Sequence, residues 1–284
     1  MNILIAKNAG FCFGVERAIS LVEETLVNNK KVYTYGPIIH NPIVVSKLES
    51  RGVKVIYDLN ELNSGDLLII RSHGIAKKLY CDIERKNIKI IDATCPFVKK
   101  AYNAAEKLSR EGCFVVILGD RKHPEVEGII SYVDGEYVVI SSSLEAIKLR
   151  KKEKIGYLAQ TTQDRKLFMS IKDILTLKCD NLKVLDTICN ATYLRQKDAR
   201  DAAEKVELML IVGGKNSGNT NRLFQICSEI CKKSYFIETI NDLNNIDFQG
   251  INNVGISAGA STPNYLINEV IEYLNEVSYV RDKW

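Results

Sequence analysis

Three cysteines, Cys12, Cys95 and Cys189, head three successive stretches of this chain. Each is followed 24 residues later by a glycine (Gly36, Gly119, Gly213) and 28 residues later by a polar, ligand-type residue (His40, His123, Ser217). Six spacings in register point to an internal threefold repeat whose copies converge on one site. Three thiols can ligate a metal. A structural zinc site normally wants four protein ligands, often in close Cys-x-x-Cys pairs, and no such pair surrounds these cysteines, so zinc is the weaker reading. Iron–sulfur cubanes are held by cysteine thiolates, and three protein ligands leave one iron open to a substrate. The other five cysteines, Cys81, Cys113, Cys179, Cys227 and Cys231, have no counterpart in the other repeats and read as packing or surface residues.

The chain's three histidines, His40, His73 and His123, each stand just after a strand-like run, within two residues of Gly or Pro. That shared placement indicates one functional pocket in which imidazoles donate hydrogen bonds to an anion. Ser217, Asn219 and Ser261 lie in glycine-containing loops whose backbone N–H groups can do the same, so the expected ligand is phosphorylated. Glu125 follows His123 by two residues, whereas its repeat-related positions hold Pro42 and Asn219. A carboxyl present on one side of the pocket only suits a proton donor. Beside a cluster and a buried anion its charged form is disfavoured, which raises its pKa toward the range of a general acid.

The elements that must position these residues follow the same repeat. A period of about 90 residues divides the 284-residue chain into three small α/β units rather than two domains of about 150 residues. The units are residues 12–94, residues 95–188, and residues 189–284 completed by the N-terminal strand within 1–11. Ala18, Ile19, Val22 and Leu26, and likewise Val98, Ala101, Ala105 and Leu108, recur at helical spacing after their cysteines. Short apolar runs, Lys31 to Tyr35, Cys113 to Leu118 and Leu208 to Val212, each end in glycine and suit parallel strands. Further strands lead into Arg71-Ser72-His73-Gly74, Gln160-Thr161-Thr162 and Ser257-Ala258-Gly259-Ala260-Ser261, and others, Ile88 to Ile91 and Leu182 to Leu185, precede the next cysteine. The expected fold is α/β: three pseudo-threefold-related domains, each with a mainly parallel sheet, around a central cluster cavity. Charged residues at 26%, hydrophobic ones at 46% and a net charge of +4 describe an ordinary globular protein and do not indicate nucleic acid. Apolar stretches are too short to span a bilayer and the N-terminus lacks a signal-peptide layout, so no membrane and a cytoplasmic location are expected.

Several separated motifs carry a family likeness. Asn8-Ala9-Gly10-Phe11-Cys12-Phe13-Gly14-Val15, Tyr35-Gly36-Pro37-Ile38-Ile39-His40-Asn41, Arg71-Ser72-His73-Gly74, Asp92-Ala93-Thr94-Cys95-Pro96, Gln160-Thr161-Thr162 and Lys215-Asn216-Ser217 stand in the order found in the 4-hydroxy-3-methylbut-2-enyl diphosphate reductase family, also called IspH or LytB. The chain closely resembles that family over nearly its whole length. The resemblance implies the last step of the methylerythritol phosphate route to isoprenoids: reductive loss of the allylic hydroxyl to give isopentenyl and dimethylallyl diphosphates and water. It implies a [4Fe–4S] cluster on Cys12, Cys95 and Cys189 whose fourth iron meets the substrate hydroxyl. It also implies a diphosphate site made by His40, His73, Ser217, Asn219 and Ser261 with His123 close by, and proton delivery by Glu125 assisted by Thr161. Where some members carry a second serine this chain has Gly218, and a backbone N–H is expected to substitute. Reduced ferredoxin or flavodoxin is the electron donor the resemblance suggests. Two rivals stay open, a non-redox iron–sulfur hydro-lyase and a non-enzymatic cluster sensor. The second leaves the histidines and Glu125 without work.

Overall fold

A computed structural model describes residues 1–29 and 31–281; residues 30 and 282–284, which fall in the first and third expected units, lie outside the described residues. The chain opens with β1 (Asn2–Ile5), α1 (Phe13–Asn28), β2 (Val32–Tyr35), α2 (Pro42–Glu49), β3 (Val53–Ile56), β4 (Leu67–Ile70), α3 (Lys77–Arg85) and β5 (Lys89–Asp92). It continues through α4 (Pro96–Arg110), β6 (Phe114–Leu118), α5 (Pro124–Ile130), β7 (Tyr137–Ile140), α6 (Ser143–Lys148), β8 (Lys152–Ala159), α7 (Arg165–Thr176) and β9 (Cys179–Val184). The last stretch holds α8 (Asn190–Ala203), β10 (Leu208–Val212), α9 (Gly218–Ile230), β11 (Ser234–Ile237), β12 (Asn253–Ala258) and α10 (Asn264–Arg281).

These strands form three four-stranded sheets, every pairing parallel, with one strand order repeated: β3-β2-β4-β5, β7-β6-β8-β9 and β11-β10-β12-β1. The fold is α/β with three similar domains, as the sequence pattern predicts. The strand that closes the last sheet is the N-terminal one, whose Asn2 to Ile5 register against Asn253 to Ile256 of β12. Parallel neighbours need a crossover. For that reason α3 and α7 stand between β4 and β5 and between β8 and β9, where the sequence reading expects only polar loops running into strands. By contacts the described residues divide into two compact units, one of residues 1–13, 40–44 and 190 onward, the other of residues 14–39 and 45–189.

Strands buried on both faces read as unbroken apolar runs, and all five residues of β10 and the last four of β6 are buried. Within the 14–189 unit, Val98, Ala101, Tyr102, Ala105 and Leu108 of α4 pack on Val115, Ile117 and Leu158, while Phe168, Ile171 and Leu175 of α7 cover Val116 and Tyr157. Within the other unit, Leu266, Val270 and Leu274 of α10 pack on Leu208, Leu210 and Ile256. Ala199, Ala202 and Leu223 cover Met209 and Ile211 in the same unit. Among the described residues no helix is long and apolar enough to cross a membrane, and no disulfide joins any of the cysteines.

Open parallel sheets bind ligands beyond the carboxyl ends of strands where the order reverses. In each sheet that point lies between its two central strands: β2 and β4, β6 and β8, β10 and β12.

Candidate active site

Each repeat cysteine immediately precedes a helix: Cys12 before α1, Cys95 before α4, Cys189 before α8. The positive end of a helix dipole favours negative charge on such a sulfur. Each is also hooked by its own N–H to the carbonyl two residues beyond a central strand, β12, β4 or β8. Cys95 donates to Ser72 at 2.9 Å, Cys189 to Thr161 at 2.9 Å and Cys12 to Ala260 at 3.1 Å. The other central strands, β2, β6 and β10, are held as regularly, with the N–H groups of Gly36, Gly119 and Gly213 donating to Ile56, Ile140 and Ile237 at 2.8, 2.9 and 2.8 Å. The repeat in the sequence is therefore a repeat of main-chain hydrogen bonds that present one partly exposed thiol per sheet.

In the 14–189 unit the loop after β6 ends at His123, the N-cap of α5. Its Nδ1 accepts the N–H of Glu125 at 3.1 Å, so the ring proton of the neutral imidazole lies on Nε2. Pro124 starts the helix, where a missing N–H does no harm. Glu125 is 1% exposed, and Thr161 holds both its oxygens: the N–H donates to Oε1 at 2.6 Å and the hydroxyl to Oε2 at 2.9 Å. Burial raises the Glu125 carboxyl from 4.5 to about 7, against the opposing pull of the two Thr161 bonds. Because Thr161 also accepts the Cys189 N–H, Glu125 is joined to a repeat cysteine through one intervening residue. His73 meets the His123 ring edge-on, 5.5 Å between centroids. The Ser72 hydroxyl donates to the Ile38 carbonyl at 3.0 Å, and His73 Nδ1 lies 3.4 Å from its oxygen.

In the other unit, Ser261 Oγ donates to the His40 carbonyl at 3.1 Å, and Asn41 Nδ2 donates to the Ser261 carbonyl at 2.9 Å. A Cβ on Gly214 would lie 2.8 Å from the His40 carbonyl oxygen, so the loop after β10 runs directly against it. Ser217 caps α9, its hydroxyl accepting the Thr220 N–H at 3.3 Å, and Gly218 is the first residue of that helix. First-turn N–H groups have no intrahelical acceptor and suit an anion. The Asn219 side chain is 4% exposed, yet neither its Oδ1 nor its Nδ2 has a protein partner. Burying an amide unpaired is costly, and this one leaves a donor and an acceptor unused by the protein. Cys12, His40, Ser217, Gly218, Asn219 and Ser261 thus lie on loops or first helical turns of one unit, and Cys95, Cys189, His73, His123, Glu125 and Thr161 on those of the other.

Two arginines escape the sequence reading. Arg17, on α1, donates to the Thr94 and Asp92 carbonyls, both at 3.3 Å, beside Cys95. Arg195, on α8 and 3% exposed, donates to the Gly10 carbonyl at 2.8 Å, two residues before Cys12. The signal was present as an arginine five or six residues after a repeat cysteine, but only the fold shows which loop it holds.

Three parallel sheets, each presenting one thiol, with imidazoles, a buried carboxyl of raised pKa and helix N-termini beyond their carboxyl ends, suit an enzyme of redox or metal chemistry. The family model for the LytB protein matches residues 3–275, and the chain belongs to that family; it is an oxidoreductase. The 4-hydroxy-3-methylbut-2-enyl diphosphate reductase of Geotalea uraniireducens is 46% identical over 278 residues, covering 98% of each chain. That of Aquifex aeolicus is 44% identical over 281 residues, 98% of this chain and 97% of the relative. Two solved structures are also similar. One, of (E)-4-hydroxy-3-methyl-but-2-enyl diphosphate reductase, the terminal enzyme of the non-mevalonate pathway, is 44% identical with a TM-score of 0.69, covering 97% of this chain and all of that one. The other, the E-1-hydroxy-2-methyl-but-2-enyl-4-diphosphate reductase of Plasmodium falciparum, is 29% identical with a TM-score of 0.92, covering 96% and 87%.

Proposed function

We propose that this chain is a cytoplasmic reductase that converts 4-hydroxy-3-methylbut-2-enyl diphosphate to isopentenyl and dimethylallyl diphosphates in the non-mevalonate isoprenoid route. The observation that carries the reading is the linkage Glu125–Thr161–Cys189, which ties a buried carboxyl near neutral pKa to a cysteine presented for ligation. The reaction consumes two electrons and two protons, breaks the allylic carbon–oxygen bond and releases the hydroxyl as water.

Cys12, Cys95 and Cys189 would hold a [4Fe–4S] cluster; three thiols at helix N-termini, each fixed by the same main-chain bond and none in a disulfide, fit that group. When bound, it supplies single electrons and an open Lewis-acidic iron. The protein's own residues do the rest. His40, His73, Ser217, the N–H of Gly218, Asn219 and Ser261 hold the diphosphate, with His123 beside it. Binding energy remote from the reacting carbon orients the hydroxyl and lowers the barrier by positioning. Glu125 Oε, protonated about half the time near pH 7, delivers protons, and the Thr161 hydroxyl keeps the carboxyl in one rotamer and relays. Reduced ferredoxin or flavodoxin supplies the electrons. The three domains are residues 12–94, 95–188 and 189–284 with 1–11, each opening at its cysteine; the repeated strand order supports these limits.

The test is anaerobic turnover of the allylic diphosphate with reduced viologen after cluster reconstitution, beside Cys95→Ser and Glu125→Gln. Five-carbon diphosphates from the wild type, none from the serine variant, and a loss of at least about 100-fold in the glutamine variant are expected. Turnover without reductant would establish the hydro-lyase, a loaded cluster without turnover would establish the sensor, and near-normal turnover of Glu125→Gln would remove Glu125 from the proton path.

A further inference from the structure

Tyr102 lies on the buried face of α4, the helix that begins after Cys95, and is 5% exposed. Its hydroxyl donates to the His73 carbonyl at 2.7 Å, and its ring stacks on Tyr132 with 4.9 Å between centroids and 19° between planes. Two glycines make room for it. A Cβ at Gly74, whose φ is +72°, would fall 2.4 Å from the Tyr102 hydroxyl oxygen; a Cβ at Gly128 would fall 2.1 Å from the same atom and 2.5 Å from Cζ. Gly74 follows His73 in its loop, and Gly128 sits inside α5, the helix that carries Glu125. A glycine inside a helix is unfavourable. No left-handed backbone demands one at 128, so the close approach of Tyr102 is what accounts for it. Burial, and secondarily the charge of Glu125, push the Tyr102 phenol up, which keeps the hydroxyl a donor at all working pH.

We propose that Tyr102 is a positioning residue that fixes the His73 loop against the Glu125 helix, its hydroxyl setting the His73 carbonyl and its ring, wedged between Gly74 and Gly128, setting α5. Tyr102 acts through His73 at the anion end and through His123 and Glu125 at the proton end. The catalytic consequence rests on the reductase reading above; the structural one does not.

Two variants of the full chain perturb the bracket from opposite sides. Tyr102→Phe keeps the wedge and the stacking but removes the bond to the His73 carbonyl. Gly128→Ala improves the helix propensity of α5 while driving a methyl group into the Tyr102 ring. With three histidines in the chain, its imidazole Cε1–H region holds three NMR signals. Tyr102→Phe is expected to shift the His73 signal and to raise KM about fivefold, the equivalent of one neutral hydrogen bond, with kcat within about twofold of wild type. Gly128→Ala is expected to shift both the His73 and the His123 signals and to lower kcat, although the variant helix is intrinsically the better one. Unmoved His73 and His123 signals in both variants overturn the proposal. So does a loss of turnover that only tracks the folded fraction. If the wild type fails to reduce the allylic diphosphate, the reductase reading falls, and the imidazole signals still decide the bracket.

Discussion

Glu125 should make the stability of this protein fall as pH rises across the weakly acidic range, and Glu125→Gln should abolish that slope. The folded-state carboxyl titrates at about 7 and the unfolded one near 4.5. Below pH 4.5 both states hold the proton. Between 4.5 and 7 the unfolded chain releases it while the folded protein retains it, so folding loses free energy throughout that window. Above 7 both are ionised and the loss is complete. A gap of about 2.5 pKa units corresponds to about 3 kcal/mol. Glutamine fits the same network: its carbonyl accepts the Thr161 N–H that now donates to Oε1, and its amide donates to the Thr161 hydroxyl in place of Oε2. Every other titrating group is common to both proteins, so the difference between their pH profiles isolates Glu125. Urea denaturation of cluster-free protein at pH 5 and pH 8 should show the variant gaining about 2.5 kcal/mol on the wild type between the two pH values, part of the loss being already complete at pH 5. Parallel profiles would mean that the carboxyl is solvated or titrates normally, and the desolvation argument would fall with its role as acid.

Other expectations follow from the same geometry. Asn219→Leu replaces a buried amide that has no protein partner, so it should stabilise the protein by about 1 kcal/mol or more while raising KM for the diphosphate at least tenfold; a destabilised variant with unchanged KM would show that the amide serves the fold. Arg17→Met removes two hydrogen bonds to the carbonyls at Asp92 and Thr94. The reconstituted cluster should then be lost faster to a chelator, read from its visible absorbance, with the melting temperature of cluster-free protein lowered by only a few degrees; a cluster lifetime equal to wild type would show that the Cys95 loop is held without it.

Legibility of this chain in its sequence follows its physical causes. Spacing alone predicts where the cysteines, the glycines after β2, β6 and β10 and the loops after β4, β8 and β12 fall, because each copy must reach the same hydrogen bonds, Cys N–H to carbonyl and Gly N–H to the neighbouring strand. The helices α3 and α7 carry apolar residues at helical spacing, Leu79, Tyr80 and Ile83 in one and Phe168, Ile171 and Leu175 in the other, but neither follows a repeat cysteine or one of the spaced glycines, and it is the parallel pairing of β4 with β5 and β8 with β9 that requires them. Tyr102 reads as one more apolar position of α4, and nothing in a one-dimensional pattern says that its hydroxyl ends at His73. Glu125 stands out as a carboxylate absent from the other copies, but its raised pKa depends on complete burial, which only the packed structure supplies.

The same comparison of copies shows why a single carboxyl is buried in this way. The carbonyls that anchor the cysteines belong to Ser72, Thr161 and Ala260, three equivalent positions with three different side chains. Seven residues beyond β2, β6 and β10 stand Pro42, Glu125 and Asn219, a second set of equivalent positions. Only the middle copy has a hydroxyl in the first set and a carboxyl in the second, and there the hydroxyl donates to it. In the first copy the second position is proline and the Ser72 hydroxyl turns to the Ile38 carbonyl. In the last copy the hydroxyl is gone and the amide is left without a protein partner. Main-chain bonds, which no side-chain substitution disturbs, preserve the thiol positions in all three copies. The side chains around them are thereby free to diverge, one copy toward a buried carboxyl and another toward a buried amide without a protein partner. A symmetric set of three carboxyls would have put like charges around an anion, each disfavouring the ionised form of the others, whereas a single buried carboxyl keeps a titration near neutrality.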